Sequence, residues 1–237
     1  MSHGQPLWSA ERERVVAFYE RQLALFGRQD ARSLHWVGPS TQFARFEVLY
    51  RLGPWEGHAV ADIGSGLGDF CTFLRQRGHT LAALGDATAA ADAVRYTGYD
   101  VTPNMVRAAR LNFPQVTFIE RDVVAHGVEP AHEYTLASGT FNVRVDDHQL
   151  FFRNAIAQLW AGCTKAVAFN FLGPPTPAGF ESPLYYEAEP DEMTRFSPHV
   201  VLHQGYLSGD ATIFLYKDPA YCPDCAGMRP ATPGVHG

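Results

Sequence analysis

The sequence has no apolar run that approaches the ~20 residues needed to cross a membrane. Its first residues, Met-Ser-His-Gly-Gln-Pro, have neither the basic start nor the apolar stretch of a secretory signal peptide. Four cysteines in 237 residues are too few for a disulfide scaffold, so we expect a cytoplasmic location. No lysine and arginine cluster opposes the net charge of −6, so we expect neither a nucleic-acid nor a membrane partner.

What the chain does have is a glycine-rich turn in residues 58–70. The short apolar run Val60 to Ile63 predicts a buried strand, and Gly64, Gly66 and Gly68 follow it. A helical pattern then starts near Phe70 and ends at Gly78. Such a turn lets a ligand lie against the backbone, with free N–H groups pointing outward from the helix start. The alternative is a tight strand-to-helix turn that binds nothing.

The remaining pattern alternates helices with short strands. Helices are predicted over residues 9–26 and 41–52, capped by Ser9 and Ser40, and over 147–160, with another beginning at Pro103 after Thr102. Strands are predicted over residues 60–63, 94–100, 116–120, 134–138 and 166–171, and a hairpin over 200–206 and 211–217. Residues 81–93 have the composition of a surface insertion, partly helical. The pattern predicts an α/β fold whose seven-stranded, mostly parallel sheet ends in an antiparallel hairpin and carries helices on both faces.

Polar residues stand at the ends of the first four predicted strands. They are Asp62, Asp100, Asp122 and Ser138. Open α/β sheets bind ligands at this edge. A carboxylate at the end of the second strand can accept both hydroxyl hydrogens of a ribose, and Asp122 can accept from an adenine amine. The set predicts a ligand that contains a nucleoside.

These motifs resemble those of the class I S-adenosylmethionine-dependent methyltransferases, from about Trp36 to Lys217. Val-Ala-Asp-Ile-Gly-Ser-Gly-Leu-Gly (60–68) is similar to the first motif of that family, Tyr-Thr-Gly-Tyr-Asp (96–100) to its ribose-binding strand end, and Phe-Ile-Glu-Arg-Asp (118–122) to its adenine-side motif. More narrowly, residues 42–49, 137–142 and 168–171 resemble a group of small bacterial methyltransferases. The resemblance implies a Rossmann-like fold and S-adenosyl-L-methionine as cofactor.

The resemblance also implies cofactor-binding roles for individual residues. The methionine portion would lie against Gly64, Ser65, Gly66 and Gly68, with Asp62 near its ammonium group and Gln42 and Arg45 near its amino-acid end. The nucleoside would contact Asp100, Val101, Met105, Asp122 and Val123, and Ser138 completes the set. The distance from Gly64 to Asp100 exceeds the ~20 residues of a dinucleotide-binding unit, and the insertion at 81–93 accounts for the excess.

Acceptor-side residues are expected in the loops after the fourth and fifth strands. The candidates are Asn142, Arg144, His148, Asn170, Tyr185 and Tyr186, of which Asn142, Tyr185, Tyr186 and His148 are the predicted catalytic set. The alternatives are that the asparagines cap their loops, that the tyrosines pack in a lid, and that His148 is simply exposed.

The predicted function is methyl transfer to a small molecule, with two alternatives: methylation of a protein or RNA, or a non-catalytic cofactor-binding regulator. We predict N-terminal helices covering the cofactor site (1–57), the methyltransferase core (58–218) and a flexible tail with a CxxC motif (219–237). No metal site is predicted, because the single Cys222–Cys225 motif provides two of the four ligands that structural zinc requires. An unpaired, reactive CxxC is expected there, with a zinc shared between two chains as the alternative.

Overall fold

The computed structural model describes residues 8–28, 30–34, 38–142, 145–172, 193 and 195–222. Within them, the α-helices are α1 (Ser9–Phe26), α2 (Pro39–Leu49), α3 (Asp69–Gln76), α4 (Pro103–Asn112), α5 (Val123–His126) and α6 (His148–Ala161). The strands are β1 (Ala59–Ile63), β2 (Leu81–Ala82), β3 (Val94–Asp100), β4 (Thr117–Glu120), β5 (His132–Ala137), β6 (Cys163–Leu172), β7 (Val200–Gln204) and β8 (Asp210–Tyr216). Short 3₁₀ turns cover Ala31–Leu34, Tyr50–Leu52 and Pro219–Tyr221.

The eight strands of the described residues form one sheet, in which seven follow the order β2-β3-β1-β5-β6-β8-β7. Strand β4 also pairs with β3, beside Thr97 to Asp100, while β2 pairs with Val94 and Arg95. The pairings of β8 with β6 and β7 are antiparallel, and the others are parallel. The α/β fold with a mostly parallel sheet and a terminal hairpin is therefore confirmed, and β2 adds an eighth strand to the seven predicted.

The core lies on both faces of this sheet. Successive strand side chains point to opposite faces, so Val60 joins one apolar cluster and Ala61 the other. The first cluster contains the aromatic side chains of α2 and α3, and the second contains those of α6. Because helices cover both faces, the parallel strands have apolar residues at nearly every position, which is why the sequence shows them as continuous apolar runs.

The sequence predicted the presence of the long helices more accurately than the residues that cap their N-termini. Helix α1 is capped by Trp8 and α2 by Gly38, neither of which makes a side-chain capping bond, so the predicted caps Ser9 and Ser40 are wrong. The first residue of α6 follows Asp147, whose side chain accepts a hydrogen bond from the Leu150 N–H at 3.2 Å. A polar side chain predicts a cap only when the preceding backbone turns toward it, and that turn depends on tertiary packing.

The segment 81–93 is less of a surface excursion than its composition predicts. Leu81 and Ala82 form β2, and both side chains are buried, as is that of Ala93. Between them the chain makes a series of mostly exposed turns without helix. The Gly57 N–H donates to the Asp92 carbonyl at 3.0 Å, which ties the returning chain to the turn before β1.

The cysteines also differ from expectation in two places. Cys71 lies in α3 as expected, but Cys163 begins β6 rather than lying in a helix; both are buried free thiols. Cys222 is buried and disulfide-bonded, so the expectation of an unpaired thiol at this position is wrong. Cys225 and the predicted tail beyond it lie outside the described residues. Among the helices of the described ranges, none is long and apolar enough to cross a membrane.

Candidate functional site

A cavity of about 1110 Å³ opens at the carboxyl edge of the parallel strands. Residues at or just past the ends of β1, β3, β4 and β5 line it, together with residues of helices α1 and α2. Parallel strands place all their carboxyl ends on one edge, so polar residues far apart in sequence meet here. This is the edge at which the sequence predicted a nucleoside-containing ligand.

The glycine loop after β1 is held by bonds within the protein. The N–H groups of Gly64 and Ser65 both donate to the Tyr99 carbonyl, at 2.7 and 3.0 Å, and that of Gly68 donates to the Ser65 carbonyl at 2.9 Å. These three N–H groups are therefore bonded within the protein, whereas the expectation of free N–H groups concerned the start of α3 and stays a prediction. Gly66 has φ of +54°, and a Cβ built on it would come within 2.7 Å of a Leu34 methyl group. Only glycine at this position therefore lets the loop pack so closely against Leu34.

Asp100, at the end of β3, joins the glycine loop to the start of α4. Its carboxylate accepts from the Gly66 N–H at 2.9 Å and from the Thr102 N–H at 2.8 Å, one bond on each oxygen. Burial raises the pKa of Asp100, and these two backbone bonds oppose that rise. Each carboxylate oxygen has a second acceptor site, so Asp100 keeps the capacity to bind two ribose hydroxyls while it holds the loop.

Asp62 lies in β1, beneath the glycine loop, and lines the cavity. It is 3% exposed, and its carboxylate accepts a hydrogen bond from the Tyr96 hydroxyl of the neighbouring strand β3. Burial raises the pKa of Asp62 to about 7, and Asp100 and Asp69 nearby add to the rise, whereas the Tyr96 bond lowers it. A carboxyl group poised in this range favours a cationic ligand group beside it.

The residues predicted to bind adenine meet near the start of α5. Asp122 caps that helix by accepting from the Ala125 N–H at 3.0 Å, so the capping interpretation of this residue is correct. Its second oxygen lies 3.8 Å from the Arg12 side chain of α1 and lines the cavity. Val101, Met105 and Val123 line the same part of the cavity and provide an apolar wall.

Arg45 and Gln42, which are predicted to lie near the amino-acid end of the cofactor, also make bonds within the protein. Both line the cavity, but the Arg45 guanidinium makes two bonds of 2.6 Å to the Asp210 carboxylate and a third of 3.2 Å to the Thr41 carbonyl. Gln42 donates to the Asp69 carboxylate at 2.8 Å. Arg45 therefore anchors α2 to the hairpin strand β8, and Gln42 anchors it to the start of α3.

The loop after β5 carries the acceptor-side candidates. Asn170 of β6 is fully buried; its amide accepts from the Gly139 N–H at 2.5 Å and donates to Ser138 Oγ at 3.3 Å, so it shapes this loop as the capping alternative predicted. Ser138 and Asn142 line the cavity. The side-chain oxygen of Asn142 is buried and has no hydrogen-bond partner among the residues that the structure describes.

Comparisons with known proteins agree with this arrangement. No family model matches the chain. The Mycobacterium tuberculosis protein named "Putative methyltransferase Rv1506c" is 28% identical to it over 169 residues, which cover 67% of this chain and 93% of the relative. The N-methyltransferase NodS from Bradyrhizobium japonicum, in complex with S-adenosylhomocysteine, has a TM-score of 0.58 at 15% identity, covering 85% of this chain and 97% of NodS. Magnesium protoporphyrin IX methyltransferase (ChlM) from Synechocystis, with S-adenosylhomocysteine bound, has a TM-score of 0.52 at 14% identity, covering 90% of this chain and 95% of ChlM.

The chain has the fold of the class I S-adenosylmethionine-dependent methyltransferases. The order of the strands, the single antiparallel hairpin at the end of the sheet and the cavity beside β1 and β3 all belong to that description. The resemblance seen in the glycine loop and the strand-end acids is confirmed at the level of the fold.

Within this class I fold, His148 does not belong to the cavity. It is 5% exposed, it begins α6, and its ring nitrogen Nδ1 accepts from the Val145 N–H at 3.3 Å. Its ring packs against Phe151 and Phe152. The prediction that His148 is exposed is wrong, because α6 packs its first turn into the core. Its catalytic role stays a prediction, and His148 is not among the residues that line the cavity. Arg144, Tyr185 and Tyr186 lie outside the described residues.

The sequence missed how helix α1 is attached beside the cavity. The Glu20 carboxylate accepts from the backbone N–H of Asn104 at 3.1 Å and from its side chain at 2.5 Å, so α1 binds the start of α4. At its other end Trp8 packs on Phe151, with ring centroids 4.9 Å apart. The signal available in the sequence was the run of aromatic residues along α1, which exceeds what a solvated helix needs.

Among the residues that the structure describes, no group of three or more histidine, cysteine, aspartate and glutamate side chains could hold a metal ion. The acids around the cavity are instead separated by the strand spacing and hydrogen-bonded to N–H and O–H donors of the protein.

Proposed function

We propose that this protein binds S-adenosyl-L-methionine and transfers its methyl group to a small-molecule acceptor. One observation carries the proposal: a single cavity joins the glycine loop and the acids of β1, β3 and β4 to a second region beside Asn142. The solved structures similar in fold include methyltransferases with S-adenosylhomocysteine or S-adenosylmethionine bound, and this supports the choice of cofactor.

The residues present fit this cofactor. Gly66 gives a surface without Cβ, and Asp100 retains acceptor sites for a ribose diol. The Ser65 hydroxyl is buried without a hydrogen-bond partner in the part of the chain described, so a ligand group could satisfy it. Bound there, S-adenosylmethionine would supply a methyl group on a positively charged sulfur, which is a good leaving group as a thioether.

We assign the cofactor contacts by region. The amino-acid portion would lie against Gly64 to Gly68, where the Asp62 carboxylate, held by Tyr96, can bind an ammonium group. The nucleoside would lie between Val101, Met105 and Val123, with Asp122 and the Val123 N–H at the adenine edge. The protein's own contribution to the reaction would be to orient both reactants and exclude water, because in-line displacement depends on the approach angle.

The small-molecule acceptor is favoured over a protein or RNA by the cover over the cavity. Helix α1 is bound at both ends, through Trp8 and Glu20, and lines the cavity along its length. A macromolecular acceptor would require an open approach to the methyl group. Asn142 is the proposed acceptor-side residue, and Tyr185 and Tyr186 stay candidates from the sequence alone. The proposed cytoplasmic location rests on the buried thiols Cys71 and Cys163; the disulfide at Cys222 weighs against it.

Isothermal titration calorimetry with S-adenosylmethionine, S-adenosylhomocysteine and NAD tests the proposal. We expect both sulfur-containing ligands to bind and NAD to bind at least a hundredfold more weakly, because Asp122 and the apolar wall fit a single adenosine. Binding of NAD with equal or higher affinity would contradict it.

A further inference from the structure

The cavity continues beyond the residues assigned to the cofactor, toward β6 and β8. Strand β5 pairs with β6, and β6 pairs with β8, so Ser138 and Asp210 lie on the same edge two strands apart. At a spacing of about 4.8 Å per strand, this separation is roughly 10 Å. We call this part of the cavity the acceptor half, and its apolar wall consists of Val15, Phe18, Phe141, Val145, Leu172 and Leu207.

Helix α1 reaches this half because its first turns lie beside the segment between β5 and α6. The Arg14 side chain is 3.5 Å from Asp146 in that segment. Phe18 follows Arg14 by one turn on the same face of the helix, and both line the cavity. The apolar side chains thus come from four separate parts of the chain, and this makes the acceptor half a formed apolar pocket.

Two features define the polar character of this half. At its floor, Arg45 and Asp210 are both largely buried and bind each other through two bonds of 2.6 Å, so their charges neutralise each other. At its wall, Asn142 is 5% exposed, and its side-chain oxygen has no hydrogen-bond partner within the described ranges. A buried acceptor atom without a partner has lost its hydrogen bond to water, and a ligand that donates a hydrogen bond would replace it.

We propose that the acceptor is an uncharged molecule with an apolar body and an O–H or N–H group, and that this group donates a hydrogen bond to Asn142 Oδ1. The inference rests on the proposed function and specifies its substrate class. A lone pair on the acceptor oxygen or nitrogen forms the bond to the methyl carbon, the C–S bond breaks with its electrons passing to sulfur, and the proton goes to water. Asn142 orients that lone pair and does not take the proton, since an amide is not a base at neutral pH.

The test uses 2-naphthol as the probe, titrated into protein saturated with S-adenosylhomocysteine and followed by calorimetry. We expect 2-naphthol to bind at least tenfold more tightly than 2-methoxynaphthalene, which lacks the O–H, and than 2-naphthoate, which carries a charge. Equal binding of 2-naphthoate, or no binding of 2-naphthol, would overturn the proposal.

Matched variants separate the two features of the pocket. Asn142→Ala should remove the preference for 2-naphthol over 2-methoxynaphthalene, and Phe18→Ala should weaken the binding of both by about the same factor. Leu25→Ala is the control, because Leu25 is on the same helix, is 73% exposed and does not line the cavity. A preference that survives in Asn142→Ala would overturn the assignment of that residue.

The titration of S-adenosylhomocysteine alone distinguishes the two proposals. If the wild-type protein fails to bind it, the proposed function and this inference both fail. If it binds and 2-naphthol does not, only the acceptor class is wrong. The three variants should retain the wild-type affinity for S-adenosylhomocysteine within about twofold, since none of the altered side chains is assigned to the cofactor.

Discussion

At the scale of single residues, Asp100 combines a structural role with a proposed ligand-binding role, and the sequence predicted only the second. It holds the glycine loop and the start of α4 through backbone N–H bonds, and it is the proposed ribose ligand. A substitution should therefore affect the ligand directly and also through the position of Gly66. We expect Asp100 to be more sensitive than Asp122, because the structural bond of Asp122 orders only the short helix α5, whereas those of Asp100 hold the glycine loop.

We expect Asp100→Ala to weaken binding of S-adenosylhomocysteine by 10- to 100-fold or more, because each charge-assisted bond is worth about 1.5–3 kcal/mol. Asp100→Asn keeps one acceptor oxygen and should have an intermediate effect. Calorimetry measures both, with Asp92→Ala, an exposed position in the turns before β3, as the control. Unchanged affinity in Asp100→Ala with an intact circular dichroism spectrum would exclude the assigned site.

The raised pKa of Asp62 predicts that cofactor binding depends on pH. Its folded pKa of about 7 lies above the usual 3.8, so the carboxyl group is largely protonated at pH 6 and ionised at pH 8. If the ionised form binds the ammonium group, affinity for S-adenosylhomocysteine should rise about tenfold between pH 6 and 8. The same shift lowers the stability of the free protein as pH rises from about 4 through 7, because the folded state holds the proton more tightly than the unfolded state.

The matched variants for this prediction are Tyr96→Phe and Asp62→Asn. Tyr96→Phe removes the hydrogen bond that lowers the pKa of Asp62, so the rise in affinity should move to higher pH. Asp62→Asn should bind with little dependence on pH in this range. The other ionisable groups that act on Asp62, those of Asp69, Asp100 and Cys71, are left in place in both variants. A profile in Tyr96→Phe identical to the wild type would exclude the coupling.

At the scale of elements, the ion pair of Arg45 and Asp210 connects α2 to β8 across the edge of the sheet. Replacing Arg45 alone with Met leaves Asp210 buried without its partner and should lower the free energy of unfolding by about 3–5 kcal/mol. The double variant Arg45→Met, Asp210→Leu should recover most of this loss. Urea denaturation measures the difference, and Arg14→Met, which removes an exposed pair, should cost less than about 1 kcal/mol.

The segment before β3 allows a second prediction at this scale. Replacing residues 84–90 with a short Gly/Ser loop should change the Tm by only a few degrees, because these residues form exposed or half-exposed turns. Replacing residues 81–93 should be much more costly, because it removes β2 and the buried side chains of Leu81 and Ala93. Differential scanning calorimetry measures the Tm of both replacement variants. Equal Tm values would show that β2 does not contribute to the stability of the fold.

At the scale of the whole molecule, the cavity touches both apolar clusters as well as helices α1 and α2. A ligand in it should therefore stabilise the domain as a unit. S-adenosylhomocysteine at 100 times its dissociation constant should add about 2.7 kcal/mol to the free energy of unfolding. For a chain of this size that corresponds to a rise in Tm of about 5–10 °C, measured by scanning calorimetry. NAD at the same concentration should leave the Tm unchanged.

The sequence alone predicted the fold class, the strand ends and the glycine loop because these depend on local patterns. Apolar runs bounded by turn residues predict buried strands, and parallel strands bring their following residues to one edge without further information. Asp62, Asp100 and Asp122 therefore line one cavity, as expected from their positions at or just past the ends of β1, β3 and β4.

Only the tertiary structure decided which partner each polar group takes. Arg45 binds Asp210, 165 residues away, because the antiparallel pairing of β6 and β8 brings that carboxylate to the same edge. His148 is buried because α6 packs its first turn against the core, although its position predicted exposure. The loop N–H groups bind the Tyr99 carbonyl because β1 and β3 are neighbours. Such contacts join segments that are distant in sequence, so no local periodicity or motif carries them.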